Sequence, residues 1–435
     1  MSGPVVPSRG PEAVLSVIGL LGFGTVVLLA VGLLHGYLWF RVVRSTTGRG
    51  RLRRRLTWLT VVLAVLPVLA VVLRGQLPLE TAAPLSWVGF SWLGVAMYAF
   101  LALLVLEPVR LVGNLWLRRR APVPSGSRTE PPGEEGAAPL DGTGPGQRDD
   151  DLADPSRRLF LARGLAVTAG VAALGTAGTG AYFANSAPVV RRVPVTLPRL
   201  DPALDGLRIV TFSDGHLSAT YGGRRFERLV EIVNEQRPDV VAIVGDLVDD
   251  TVEELREDVA PLADLVSEQG VYFVTGNHEY FTETQAWLRH LPTLGVEVLR
   301  NERVPIVRGR ASFDLAGIDD RTAAASGLPG HGADLDAALD GRDDATPVVL
   351  LAHQPFMVGE AARAGVDLQL SGHTHGGQLW PFDYAIRLDQ PAVEGLSRHG
   401  DTQLYVTAGA GYWGPPMRIG ARPEVTVVEL RSPGR

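Results

Sequence analysis

Five short clusters of histidines, carboxylates and one asparagine recur in the second half of this chain, and each stands where a strand-like apolar run ends. They are Asp214-Gly215-His216, Gly245-Asp246-Leu247-Val248-Asp249, Gly276-Asn277-His278-Glu279, His353 within LLAHQP, and Gly372-His373-Thr374-His375. Only a fold that carries several strand ends to one edge can gather them. The runs fit strands at 207–213, 240–245, 271–275, 296–299, 313–318, 348–352, 368–370, 404–407 and 425–430. Between the early ones lie amphipathic stretches, such as 224–236 with Phe226, Leu229, Val230 and Val233 on one face. Val240 to Gly245 is continuous aliphatic, as in a strand covered on both faces. Strands alternating with helices imply α/β layers. Such sheets bind ligands at the C-terminal ends of their strands.

The chemistry of the clusters points to metal. The chain has no cysteine, so a metal site must use nitrogen and oxygen ligands. Residues i and i+2 on a strand point the same way, so Asp214 and His216 are placed to grip one ion and His373 and His375 to reach two. Asp246, on a glycine-led turn, is placed to bridge two ions, with the Asn277 carbonyl and the His353 imidazole completing the set. Two ions about 3.5–4 Å apart lower the pKa of a shared water for attack on phosphorus. His278, beside a ligand, is the candidate catalytic residue that contacts substrate and protonates the leaving oxygen. Asp249 and Glu279 are candidates to orient the imidazoles from behind. Any one cluster is common. Together they take five of the nine histidines.

The first half is a membrane protein. Apolar stretches at 14–40, 56–73 and 87–106 each have the length of about 20 residues that spans a bilayer. Pro67 in the second is tolerable within a membrane. The arginine-dense run RVVRSTTGRGRLRRR and the triplet Arg118-Arg119-Arg120 belong to the cytoplasm by the positive-inside rule, which leaves the loop 75–86 outside. The spans carry almost no ionisable residue and read as an anchor. Residues 121–155, rich in Pro, Gly, Asp and Glu, read as a disordered cytoplasmic linker. Arg157-Arg158 before the mild apolar segment 164–183 is similar to a twin-arginine signal, though internal, or opens a fourth span over 156–186. Either way a domain over 190–435 ends outside the cytoplasm, in a multi-pass protein of the cell membrane. A net charge of −6 with no basic stripe in the later half gives no expectation of nucleic acid.

The set SDGH, GDLVD, GNHE, LAHQP and SGHTHGGQ resembles the calcineurin-like metallophosphoesterase superfamily. The run LSRHGDTQLYVTAGAGYWGPPMR resembles a bacterial membrane-associated branch of it. The resemblance covers about residues 190–431. It implies a four-layer αββα sandwich after a transmembrane helical region. It implies that Asp214, His216, Asp246 and His375 hold one divalent ion (Mn, Fe or Zn), that Asp246, Asn277, His353 and His373 hold another, and that His278 is the catalytic non-ligand. Relatives in that branch lead to the expectation of a phosphodiesterase acting on a phosphoester or pyrophosphate of an envelope lipid or nucleotide-sugar lipid. A phosphomonoesterase or phosphoprotein phosphatase, and a non-catalytic metal sensor, are the alternatives. The sequence leaves the oligomeric state open.

Overall fold

The computed structural model describes residues 11–119 and 153–434. The expected linker therefore lies almost wholly outside the described residues. Four long helices come first: α1 (Pro11–Leu38), continued by a π-turn at Trp39–Arg44, α2 (Arg51–Val72), α3 (Leu79–Arg119) and α4 (Ala153–Ala184). Each contains a stretch long and apolar enough to cross a membrane. Large apolar side chains such as Leu33, Trp58, Val105 and Val171 stand exposed along them. Water would oppose that exposure, whereas acyl chains accept it. α3 has 41 residues, about 60 Å of helix and about twice the hydrocarbon thickness. It begins inside the stretch expected to be loop, so the α2–α3 connection shrinks to a few residues around Gly75. Gly89 of α3 is tightly packed, because a Cβ there would lie 3.1 Å from the Leu66 backbone next to Pro67. A small residue is what allows such close helix approach.

The described residues divide into two compact units, 11–29, 63–94 and 176–434 in one and 30–62, 95–119 and 153–175 in the other. Within the smaller unit, Trp39 donates to Thr57 at 2.8 Å, Tyr37 to Glu107 at 2.8 Å and Arg163 to the Thr46 carbonyl at 3.1 Å.

The larger unit holds two six-stranded sheets. In chain order the strands are β1 (Val189–Thr196), β2 (Arg208–Phe212), β3 (Val240–Val244), β4 (Val271–Val274), β5 (Val296–Val298), β6 (Glu302–Arg308), β7 (Ala311–Gly317), β8 (Val348–Leu351), β9 (Leu368–Ser371), β10 (Gly395–His399), β11 (Thr402–Val406) and β12 (Glu424–Arg431). The first sheet runs β1-β12-β2-β3-β4-β5 and the second β10-β11-β9-β8-β7-β6. Helices α5 (Arg224–Glu235), α6 (Val252–Val259) and α7 (Thr284–His290) accompany the first sheet, and α8 (Leu335–Leu339) and α9 (Val358–Arg363) the second.

The alternation of β3 shows how the layers form. Val240, Ala242 and Val244 join a core with Phe313, Leu315, Val349 and Leu370 of the second sheet. Val241 and Ile243, pointing the other way, join Phe226, Leu229, Leu255 and Trp287 under the helices. A strand wedged between a sheet and a helix layer needs apolar side chains at every position, which is why VVAIV has no polar face. The second sheet repeats the pattern, with Val348 and Leu350 packing on Leu335, Ala338 and Ala361. The result is the expected four-layer αββα sandwich.

Candidate metal centre and active site

The clusters do meet, but their backbone differs from an extended strand. β2 ends at Phe212 and β9 at Ser371, so Asp214, His216, His373 and His375 all lie past the last strand residue. Five predicted ligands have left-handed backbone: Asp214 (φ 53°), His216 (47°), Asp246 (52°), His373 (71°) and His375 (52°). Each such conformation costs an L-residue about 1–2 kcal/mol. The same-side placement expected from the strand pleat is produced instead by these kinks. Strain of this kind persists where the surroundings impose it, as at functional sites.

Glycines make the crowding feasible. A Cβ on Gly276 would fall 2.1 Å from Asp246 Oδ1, and one on Gly372 2.5 Å from Asp214 Oδ2. Neither position has room for a side chain.

The ligand atoms form overlapping groups. Asp214, His216 and His375 converge within metal-binding distance of one another, as do Asp246, His353 and His373, and His216, Asp246 and His278 link them. His375 Nε2 lies 3.3 Å from Asp214 Oδ1 and 3.0 Å from His216 Nε2. Asp246 Oδ2 lies 3.2 Å from His353 Nε2 and 3.8 Å from His216 Nε2, between the two groups. Its Oδ1 accepts the backbone N–H of His278 at 2.8 Å.

Several features fit a pair of cations. His353 Nδ1 donates to the Val244 carbonyl at 2.7 Å, which fixes the tautomer and leaves Nε2 as a lone pair. That Nε2, and Asn277 Oδ1, are buried with no hydrogen-bond partner. Such orphans cost about 1–3 kcal/mol each unless something answers them, and a cation would. Burial pulls His375 well below the usual imidazole value, helped by Arg418, and pulls His373 down to about 3, helped by His353. Both are thus neutral, the form that ligates metal.

His278 is different. Its Nδ1 lies 2.6 Å from Asp249 Oδ1, so the contact to this carboxylate uses Nδ1 rather than Nε2. Burial would lower it, but Asp246 and Asp249 overcome that and raise it to about 9. Asp249 Oδ1 also meets His216 Nδ1 at 3.1 Å. Burial works against the Asp249 carboxylate, yet His216 and Arg74 hold it well below the ordinary range. Asp249 Oδ1 therefore faces two imidazole rings. Glu279 does not. It accepts backbone N–H groups from Asp246 (3.0 Å), Leu247 (2.8 Å) and Gly276 (2.6 Å), so it shapes the turn that carries Asp246 rather than orienting an imidazole.

Sequence reasoning missed two basic residues. Arg418 is completely buried and donates to the carbonyls of His375 (2.8 Å), Ala408 (2.6 Å) and Gly411 (2.9 Å). Arg74 donates to Asp249 Oδ2 at 2.8 Å. A signal for Arg74 existed: it is a lone arginine at the end of a span assigned to the outside, where arginines are scarce.

Comparison with known proteins now bears on this geometry. The calcineurin-like phosphoesterase family profile matches residues 207–377. A Danio rerio protein described as a transmembrane protein with metallophosphoesterase domain is 36% identical over 435 residues, spanning 98% of this chain and 92% of its own. The chain belongs to the calcineurin-like metallophosphoesterase family. A Bos taurus protein of the same description is 41% identical over 289 residues, 64% of each chain. An uncharacterized metallophosphoesterase of Helicobacter pylori strain J99 is 37% identical over 278 residues, 63% of this chain and 73% of its own. The kinship thus reaches beyond bacteria, and with the zebrafish protein it includes the apolar helices. As a member of the metallophosphoesterases, the chain is a metal-dependent phosphoester hydrolase.

Proposed function

We propose that this metallophosphoesterase is a membrane-anchored phosphodiesterase that cleaves a phosphoester or pyrophosphate of a lipid-linked substrate outside the cytoplasm. Asp214, His216, Asp246 and His375 would hold one divalent ion, and Asp246, Asn277, His353 and His373 the other. The pair, when bound, activates water and neutralises phosphoryl oxygens. The chain's own part is positioning and proton transfer. Asp249 holds the His278 ring by Nδ1, and the raised basicity of that ring keeps a proton on Nε2 for the leaving oxygen.

The observation that carries the lipid reading is the rim around His278. Phe281 and Trp413 stand edge-on to its ring at centroid distances of 5.2 and 5.6 Å, and both are exposed, Phe281 at 71%. Trp380, Phe382 and Tyr384, just beyond His375, are also exposed. Aromatic side chains that are apolar at one end and wet at the other suit a membrane interface. The catalytic domain also starts close to lipid, since α4 ends at Ala184 and β1 begins at Val189.

The topology is supported by one contact. Arg74, between α2 and α3, pairs with Asp249, which supports a reading in which that connection and the catalytic site share one side of the bilayer. The arginine clusters at 41–55 and 118–120 flank the opposite ends of the same helices.

The test is turnover by the full chain in vesicles loaded with Mn²⁺, Fe²⁺ or Zn²⁺, on a lipid-linked pyrophosphate, bis(p-nitrophenyl) phosphate and p-nitrophenyl phosphate. The diester should outpace the monoester. Phe281→Ser with Trp413→Ser should raise KM for the lipid substrate alone. Faster monoester cleavage, or a lipid KM untouched by those changes, would sink the proposal.

A further inference from the structure

We infer that the membrane region is part of the catalytic apparatus: the turn between α2 and α3 delivers Arg74 to Asp249, and Arg74 is a positioning residue for His278. This rests on the proposed role of His278 as the proton donor.

Asp249 is a buried carboxylate with both imidazoles on one oxygen. His278 Nδ1 lies 2.6 Å and His216 Nδ1 3.1 Å from Oδ1. The other oxygen faces the membrane hairpin and receives Arg74 at 2.8 Å. Without that donor, Oδ2 would be a buried charged atom with no partner in a side chain only 2% exposed. A carboxylate held at both oxygens cannot rotate about its last bond. Its Oδ1 then fixes which nitrogen of His278 carries the inward proton and where Nε2 points, as a carboxylate does behind a metal-bound histidine.

Three other contacts hold the hairpin in place. The Leu79 backbone N–H, at the start of α3, donates to Glu254 Oε2 of α6 at 2.8 Å. The Leu79 side chain packs on the core beneath α5 to α7. The Arg225 guanidinium lies over the Trp87 ring, 5.5 Å from its centroid. The site is therefore complete only when the hairpin is docked. Its catalytic efficiency depends on a residue about 175 positions away from Asp249, on what the sequence presents as an anchor.

The experiment uses the full chain in detergent with Mn²⁺ and bis(p-nitrophenyl) phosphate. Arg74→Ala should lower kcat about 10- to 100-fold, the range typical for such supporting contacts. KM should stay within about twofold, and two ions per chain should remain. Arg74→Lys should recover part of the loss, since one ammonium can serve one oxygen. Arg74→Ala in an Asp249→Asn background should cost little more, because the two act as a unit. Melting temperatures of wild type, Arg74→Ala, Asp249→Asn and the double variant give a readout free of activity: Arg74→Ala should lower Tm beside Asp249 and not beside Asn at that position. Unchanged kcat in Arg74→Ala, equal Tm losses in both backgrounds, or loss of metal from Arg74→Ala would each overturn the inference. A wild-type chain inert on every phosphoester, but with coupled Tm values, would instead sink the phosphodiesterase reading and leave the contact standing.

Discussion

Arg418 holds His375 from two sides. Its guanidinium donates to the His375 carbonyl at 2.8 Å and lies 3.2 Å from the Nδ1 of the same residue. His375 has left-handed backbone, φ 52°, and this buried cation helps to keep it there. Burial draws Arg418 down to about 10, so it remains charged at neutral pH. Arg418→Met keeps the apolar stem and leaves the Ala408 and Gly411 carbonyls without a donor, each worth about 1–3 kcal/mol. Denaturant unfolding of the metal-free protein should show a loss on the order of 3 kcal/mol or more. A stability change below about 1 kcal/mol would contradict this account.

His278 and Asp246 should separate chemistry from metal binding. His278→Ala should keep two ions per chain and lower kcat about 10²- to 10⁴-fold, the usual contribution of a positioned acid. Asp246→Asn should lower the content of both ions, because its carboxylate lies between the two groups of ligands. Metal analysis alongside kinetics decides. Metal-free His278→Ala protein would mean that His278 is itself a ligand.

Gly276→Ala adds a single methyl group against Asp246. The added methyl would sit 2.1 Å from Asp246 Oδ1 and 2.4 Å from the Asp246 backbone nitrogen, among atoms already tied by Glu279. The turn must move, and Asp246 with it. The variant should bind metal at least tenfold more weakly, a loss of about 1.4 kcal/mol. Native affinity measured by titration would show the turn to be softer than its packing implies.

In chelator-treated protein, His278 should set a pH dependence of stability. Its folded pKa is raised to about 9 by Asp246 and Asp249 against the effect of burial. The unfolded value is about 6.5. A raised pKa means the folded state binds the proton more tightly, so this stability is full below about pH 6.5 and lost as pH rises through about 9. The Tm gap between wild type and His278→Gln should therefore be wide near pH 6 and shrink by about pH 9.5. A gap that stays constant would remove the argument.

Reporter fusions test the sidedness. Alkaline phosphatase joined after residue 200 should be active, and a fluorescent protein that matures only in the cytoplasm should be dark there. A bright fusion would reverse the topology and turn the substrate search to cytoplasmic phosphoesters.

The residues of the site were legible because the chemistry is local: aspartate, histidine and glycine stand within two or three positions of each other at the ends of aliphatic runs. The αββα layering was legible for a similar reason, since VVAIV can only be a strand covered on both faces. The sequence by itself thus determined the family and the apolar stretches that water would not tolerate. It did not determine how the ligands turn inward, which depends on left-handed kinks at Asp214, His216, Asp246, His373 and His375 that no residue preference announces. Nor did it reveal β1, β6 and β10, whose partly exposed sequences lack a continuous apolar signal. The tertiary structure alone decided the partners separated by long stretches of chain: β1 beside β12, Arg418 behind His375, and Arg74 on Asp249. A single arginine carries no pattern in sequence, and its role is fixed only when folding brings a buried carboxylate or carbonyl within reach.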